Sequence, residues 1–215
     1  MPPVLLRIGP VVITTTVAYT LVASGVVVGF ALLARWGLRR GPAAFAVAAE
    51  FLVEHLEDVM RDMFGRDPRS FVPLVATLAL FVGVANLLGL FPGMKSPTAD
   101  FSTTAALAVV VFLAVPVYGV RTKGLKGYLK HYLEPTPLLL PLEIISELSR
   151  TVALAVRLFG NIASEELIIA VLLAIAGLLV PVPIMMLAVL TGVVQAYIFA
   201  VLTAVYISAA VRAEQ

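Results

Sequence analysis

Apolar runs at about Val11 to Ala34, Phe71 to Phe91, Thr103 to Val120, Leu138 to Val180 and Ile184 to Ala210 alternate with charged connectors along this chain. A hydrocarbon core of about 30 Å takes about 20 apolar residues of helix, so the runs predict about five membrane crossings. The stretch "GPAAFAVAAEFLVEHLEDVMRDMFG" differs. In it Phe45, Leu52, Leu56, Val59 and Met63 recur at helical spacing, while Glu50, Glu54, Glu57, Asp58 and Arg61 cover much of the remainder. That pattern predicts an amphipathic helix over 42–65 lying on the cytoplasmic membrane surface.

The fourth run is too long for an ordinary span. From Leu142 to Ala176 it contains no proline, and its helix would be about 52 Å long against a core of about 30 Å. Tilt alone would have to reach about 55°, beyond the usual 0 to 40°. The run therefore either breaks near Gly160 or crosses obliquely. Pro181 and Pro183 in "LLVPVPIMM" forbid uninterrupted helix and are expected to turn the chain. The predicted fold is an all-α polytopic membrane protein, one membrane domain over 1–215. It comprises spans at 11–34, 71–91 and 103–120, the surface helix at 42–65, and a long, steeply tilted hairpin of 138–180 and 184–210.

Composition supports the membrane reading. The 215 residues are 61% hydrophobic and 13% charged, with a mean hydropathy of +1.05, well above the roughly 45 to 50% apolar usage of soluble domains. A net charge of +2 is too small to argue for nucleic acid. With no cysteine, and with His55 and His131 far apart, no disulfide, metal centre or cofactor is expected. His55 reads as part of a solvated face. "MPPVLLRIGP" lacks the order of a cleaved signal peptide, so the first run is expected to stay as an anchor. Arg35, Arg39, Arg40, Arg61, Arg66, Arg69, Arg121, Lys123, Lys126, Lys130 and Arg212 fall on one side of the predicted topology, and only Arg7 and Lys95 on the other. The positive-inside rule then puts the N-terminus outside and the C-terminus in the cytoplasm or its equivalent.

Candidate chemistry lies within "RTVALAVRLFGNIASEELIIAVLL". An Arg or Asp at the centre of a membrane helix costs about 2.5 to 3.5 kcal/mol on the insertion scale. With Arg157 as zero and about 100° per residue, Glu143, Ser146, Arg150, Asn161 and Ser164 fall within about 40° of it. Glu147 and Glu165 sit at about 80°, and Glu166 points about 180° away. Arg157 could belong to a packing seam of buried ion pairs. Against this, Glu143 and Glu165 are about 21 Å and 12 Å from it along the axis, so neither neutralises it within the helix. On the last helix Ala188, Thr191 and Tyr206 lie within about 40° of Gln195. Gln195 is either helix–helix glue or a neutral partner for the guanidinium. Asn86 and Asp100 flank "LLGLFPGMKSPTADFSTT", where Asp100 reads first as an N-cap.

"EPTPLLLPLEIISELSRTVALAVRLFGNIASEELIIAVLL", "VPVPIMMLAVLTGVVQAYIFAVLTAVYI" and "NLLGLFPGMKSPTADFSTTAALA" together resemble subunit a of the F-type ATP synthase, nearest to its chloroplast and cyanobacterial-type branch. The resemblance implies a non-catalytic stator that couples proton translocation to ATP synthesis, multi-pass in a bacterial plasma membrane or a thylakoid-type one. It implies as partners a ring of c subunits, b-type peripheral stalk subunits, the nucleotide-hydrolysing head reached through the stalks, and the lipid bilayer. By the same resemblance Arg157 matches the essential stator arginine facing the ring carboxylates, and Gln195 and Asn161 its neighbours. Glu166, joined by Glu165, matches the outer proton path. Glu143 and Ser146 match the cytoplasmic one, with Asn86 and Asp100 as further candidates. Ala188 stands where proteobacterial relatives have a histidine. A stand-alone ion channel or secondary transporter is the alternative, and the chain shows no inverted repeat that would favour it.

Overall fold

The computed structural model describes residues 4–8, 11–40, 44–64, 67–91, 94–133, 140–177 and 179–211. Arg66, Arg212 and the "EPTPLL" stretch of the motif lie outside them. The helices are α1 (Thr15–Arg40), α2 (Ala44–Phe64), α3 (Val72–Leu88), α4 (Phe101–Leu133), α5 (Leu140–Ala176) and α6 (Val182–Val211), with a short turn of 3-10 helix at Pro97–Ala99. Ahead of them β1 (Val4–Ile8) pairs antiparallel with β2 (Val11–Thr14), Ile8 opposite Val11 and Val4 opposite Thr14. This ribbon takes the first four residues of the expected span, because the β-branched run "VVIT" fits a strand better than a helix. Thr14 then caps α1, its Oγ1 accepting from Val17 N at 3.4 Å.

The helical, polytopic architecture expected from the sequence is the one observed. Helices α1, α4, α5 and α6 are long and apolar enough to cross a membrane, and α3 is a shorter apolar helix of 17 residues, about 26 Å long. α4 kinks at Gly124, where the backbone is not helical (φ 74°, ψ 163°), so its first piece ends soon after the expected Val120 and a second piece runs on to Leu133. α5 does not break at Gly160: 37 residues run unbroken, giving about 55 Å of helix. It ends where Gly177 adopts φ 74°, a left-handed conformation that costs glycine little. Gly177 thus ends α5, the chain turns over Leu179 to Pro181 as expected, and the prolines also serve the next helix. Pro181 O accepts from Met185 N at 2.8 Å, and Pro183 sits in the first turn of α6, where its missing N–H is no loss.

Packing orders these elements. Leu56, Met60 and Phe64 of α2 are buried with Phe71, Val72 and Val75 near the start of α3, and with Ala200, Ala204 and Ile207 of α6. Deeper, Leu78 and Val82 of α3 meet Val111 of α4, Leu154, Leu158 and Ile162 of α5, and Ala196 and Phe199 of α6. Alanine at positions 196, 200 and 204 lets α3 and α6 approach closely. Two ties fix α2 along the second half of α6. The rings of His55 and Tyr197 are 5.9 Å apart, and Ser208 Oγ donates to Met63 O at 2.8 Å. An amphipathic helix that follows the surface therefore carries the end of α6 along with it. His55 itself is exposed and also stacks on Phe51.

Asp100 closes the opposite end, as the N-cap of α4 that its position before "FSTT" suggests. Oδ1 accepts from Ser102 N at 3.0 Å and Ser102 Oγ at 2.8 Å, while Oδ2 accepts from Thr16 Oγ1 of α1 at 2.9 Å. Burial alone would raise this carboxyl, but the hydrogen bonds from Ser102 and Thr16 outweigh it and hold the group below its ordinary 3.8. A lowered folded value means the cap contributes fully above the unfolded value and loses its contribution as pH falls through the folded one. Asp100→Ala is expected to cost about 1 kcal/mol at neutral pH. In thermal unfolding of the detergent-solubilised protein, the gap between variant and parent should narrow as the pH falls from neutral to below the ordinary 3.8; a gap that does not change with acidification would contradict the cap's titration.

Candidate functional site

Arg157 sits near the middle of α5 and is exposed, as are Ala153 and Ser164 on the same stripe, whereas Leu154, Ala155 and Leu158 on the other side of the helix are buried. Among the described residues no hydrogen bond or ion pair involves Arg157. The packing-seam alternative, which needs an internal carboxylate, is not realised among them. Gln195 is 3% exposed, and its Oε1 accepts from Asn161 Nδ2 at 2.9 Å. The expected approach of Gln195 to Arg157 is thus taken by Asn161, one turn further along, at the edge of the stripe that meets α6. The guanidinium is left facing outward.

Toward the C-terminal half of α5, Glu165 and Glu166 diverge as their 100° separation requires. Glu165 Oε1 accepts from Thr191 Oγ1 of α6. Glu166 Oε1 accepts from the backbone N–H of Ser96 at 2.6 Å, in the segment between α3 and α4. The two carboxylates share a cavity of about 20 Å³ with Asn86, Ser96 and Ala188, room for about one water. Glu166 also borders a larger, mainly apolar cavity of about 430 Å³ with Lys95, Met94, Leu167 and Met185. Asn86, 6% exposed, joins this group: it donates to Gly192 O at 3.0 Å and accepts from Thr98 Oγ1 at 2.6 Å. Asp100 is bound up in its cap.

Toward the N-terminal half of α5, a cavity of about 170 Å³ is lined by Glu143, Glu147, Arg150 and Thr151, by Tyr206 of α6 and by Val111 and Val115 of α4. Glu147 is partly buried there. Ser146, expected beside Glu143, is partly buried but not among the lining residues. Glu147 and Glu166 lie about 15 Å and 14 Å from Arg157 along the helix axis. One face of α6 serves the whole arrangement: Ala188 and Thr191 at one cavity, Gln195 at the middle, Tyr206 at the other. Ser96, Thr98 and Gly89 escaped the sequence reading, since a loop has no period and a backbone donor no residue signature. The helix periodicity did place Glu147, Arg150 and Tyr206 on the relevant faces. Among the described residues no cluster of His, Asp and Glu could hold a metal ion.

Comparison with known proteins bears on this geometry. A family model described as ATP synthase A chain matches residues 17–208. A protein of Hahella chejuensis named ATP synthase subunit a 1 is 49% identical over 210 residues, covering 98% of this chain and 89% of that protein. ATP synthase subunit a 2 of Pelobacter propionicus is 46% identical, over 97% and 91%. A cyanobacterial relative, ATP synthase subunit a 1 of Crocosphaera subtropica, is 43% identical, over 91% and 88%.

Asn86 is the residue that ties α3, α6 and the segment before α4. Asn86→Leu removes the acceptor of a fully buried hydroxyl, Thr98, and is expected to cost about 1 to 3 kcal/mol. A lower unfolding temperature of the purified protein is the measure; unchanged stability would count against the tie.

Proposed function

The chain belongs to the ATP synthase A chain family, an integral membrane component of that complex, and on this premise we propose that it is the stator that passes protons to and from a rotating ring of c subunits. The observation that carries the reading is Arg157: a cation on the exposed face of a membrane helix, set between two polar cavities. A cation in that place needs a carboxylate from outside the chain. A stand-alone channel or transporter would turn the guanidinium inward, toward its own pore.

In this reading a proton from the outer side reaches Glu166 and Glu165 and passes to a ring carboxylate. Neutralised, that carboxylate can enter lipid, and rotation carries it round. On the other side it releases its proton toward Glu143 and Glu147, beside Arg150 and Tyr206, and meets Arg157 as an anion. The guanidinium stays charged at any working pH, so it holds the anion and blocks direct passage between the cavities. Asn161 and Gln195, bonded to each other, keep the neighbouring turn closed without supplying a charge that would neutralise Arg157. Each charge crossing 100 mV carries about 2.3 kcal/mol, which a leak at this point would dissipate. The exposed apolar faces of α5 and α6 are where the ring would lie, and the single membrane domain would meet the b-type stalk subunits and, through the stalks, the catalytic head. The chain performs no catalysis itself. The bacterial sources of the relatives support a bacterial plasma membrane as its location.

Arg157→Ala is expected to abolish proton-driven ATP synthesis in vesicles whose complexes assemble and still hydrolyse ATP; synthesis at the parent rate would overturn the role. Glu165→Gln and Glu166→Gln should each slow proton transport several-fold, and the double variant by more than the product of the two, because adjacent acids that share a cavity substitute for one another. Proton-flux measurements on the three variants decide this, and a strictly multiplicative result would mean independent action.

A further inference from the structure

Glu166 is held by an atom that ordinary side-chain substitution leaves in place, the backbone N–H of Ser96. That N–H arrives on target because the segment carrying it is pinned from several directions. Ser96 Oγ donates to Ala85 O at 2.8 Å and lies 2.6 Å from Thr98 Oγ1. Thr98 Oγ1 bonds Asn86, which in turn reaches Gly192 O of α6. Ser96 and Thr98 are 4% and 0% exposed. Gly89 is the seat on which this segment rests. A Cβ there would stand 2.9 Å from Ser96 Cβ, 3.2 Å from Ser96 N and 3.1 Å from Glu166 Oε1. The Gly89 backbone has φ −65° and ψ −13°, values open to any residue, so glycine is required for space rather than conformation.

We propose that Gly89, Ser96 and Thr98 form a positioning element for Glu166, in which the Ser96 N–H occupies Oε1 and leaves Oε2 as the oxygen that exchanges the proton. The proposal rests on the reading of Glu166 as an acid of the outer proton path. A directed N–H orients a carboxylate and favours its charged form, so it sets the pH at which the acid takes up a proton as well as the direction in which it offers it. Among the described residues the charged groups facing Glu166 are Lys95, from the same segment as Ser96, and Glu165, at the small cavity. From α3 come Asn86 and Gly89, and from α6 Ala188 and Met185, all uncharged. Lys95 and Glu165 are unaltered in every variant below.

Ser96 has φ −66°, the angle that a proline ring imposes. Ser96→Pro therefore suits the Ser96 φ and removes both the N–H and the hydroxyl, its ring displacing Oε1 from the place of the N–H, while Ser96→Ala removes the hydroxyl alone. In vesicles carrying the whole complex, the pH of half-maximal proton uptake in the proline variant should lie about one unit above that of the alanine variant. Coincident profiles would overturn the proposal. Gly89→Ala pushes Ser96 off the carboxylate without touching the N–H and should shift the profile the same way. It decides the matter if the proline variant does not assemble, and an assembled Gly89→Ala complex with an unshifted profile also overturns the proposal. Glu166→Gln, measured alongside, separates the two layers. Transport indifferent to it would refute the path assignment, whereas Glu166-dependent transport with coincident Ser96 profiles refutes only the positioning.

Discussion

A helix of 37 residues is about 55 Å long and cannot stand upright in a hydrocarbon core of about 30 Å. Because α5 is continuous through Gly160, the excess cannot be absorbed by a break and has to be taken up by tilt, by emergence at the ends, or by both. Much of the structure depends on that. On so long a helix acids about 30 Å apart along the axis stand on either side of Arg157. The amphipathic α2 is held along α6 through Tyr197 and Ser208. A surface helix and the second arm of the hairpin thus share one packing interface.

The same length leaves most of α5 uncovered: only 11% of its most apolar stretch is buried within the chain. For a membrane protein this exposed apolar surface is ordinary, since lipid or a partner helix covers it without penalty. A guanidinium on that surface is not ordinary. Along the stripe of Arg157 the neighbours Ala153, Asn161 and Ser164 are exposed as well, while Leu154, Leu158 and Phe199 form a buried core beside it. The chain spends its own amides on each other, Asn161 on Gln195. The positive charge is therefore left without a partner among the described residues, which is what the proposed role asks of it.

The polar groups that are buried within the chain follow the opposite rule. Asn86, Ser96, Thr98, Gln195, Thr203 and Ser208 are all nearly inaccessible, and each is hydrogen-bonded to backbone or to another side chain. In low dielectric an unmet donor or acceptor is expensive, so such groups become fixed points of the packing. Asn86 and Thr98 are fixed in this way, and they locate the segment that carries the Ser96 N–H.

Helix lengths, the amphipathic face of α2 and the polar stripe of α5 were legible in the sequence because they depend on residues of one element and on the helical period alone. So was the separation of Glu166 from Arg157 to opposite faces, and the cap role of Asp100, which needs only the residues that follow it. Other features required the other elements in place. Periodicity put Gln195 on the face that meets the stripe, but whether it met Arg157 or Asn161 depended on how α6 is seated against α5, which no single-helix angle contains. Pro181 and Pro183 marked the turn, yet Gly177 ends α5, since a stop depends on backbone torsions as well as on a missing N–H. The N–H of Ser96 on Glu166, and the space at Gly89 that admits it, had no signature at all. Every non-proline residue carries the same donor, and only the close approach of α3, α5 and the segment before α4 singles this one out.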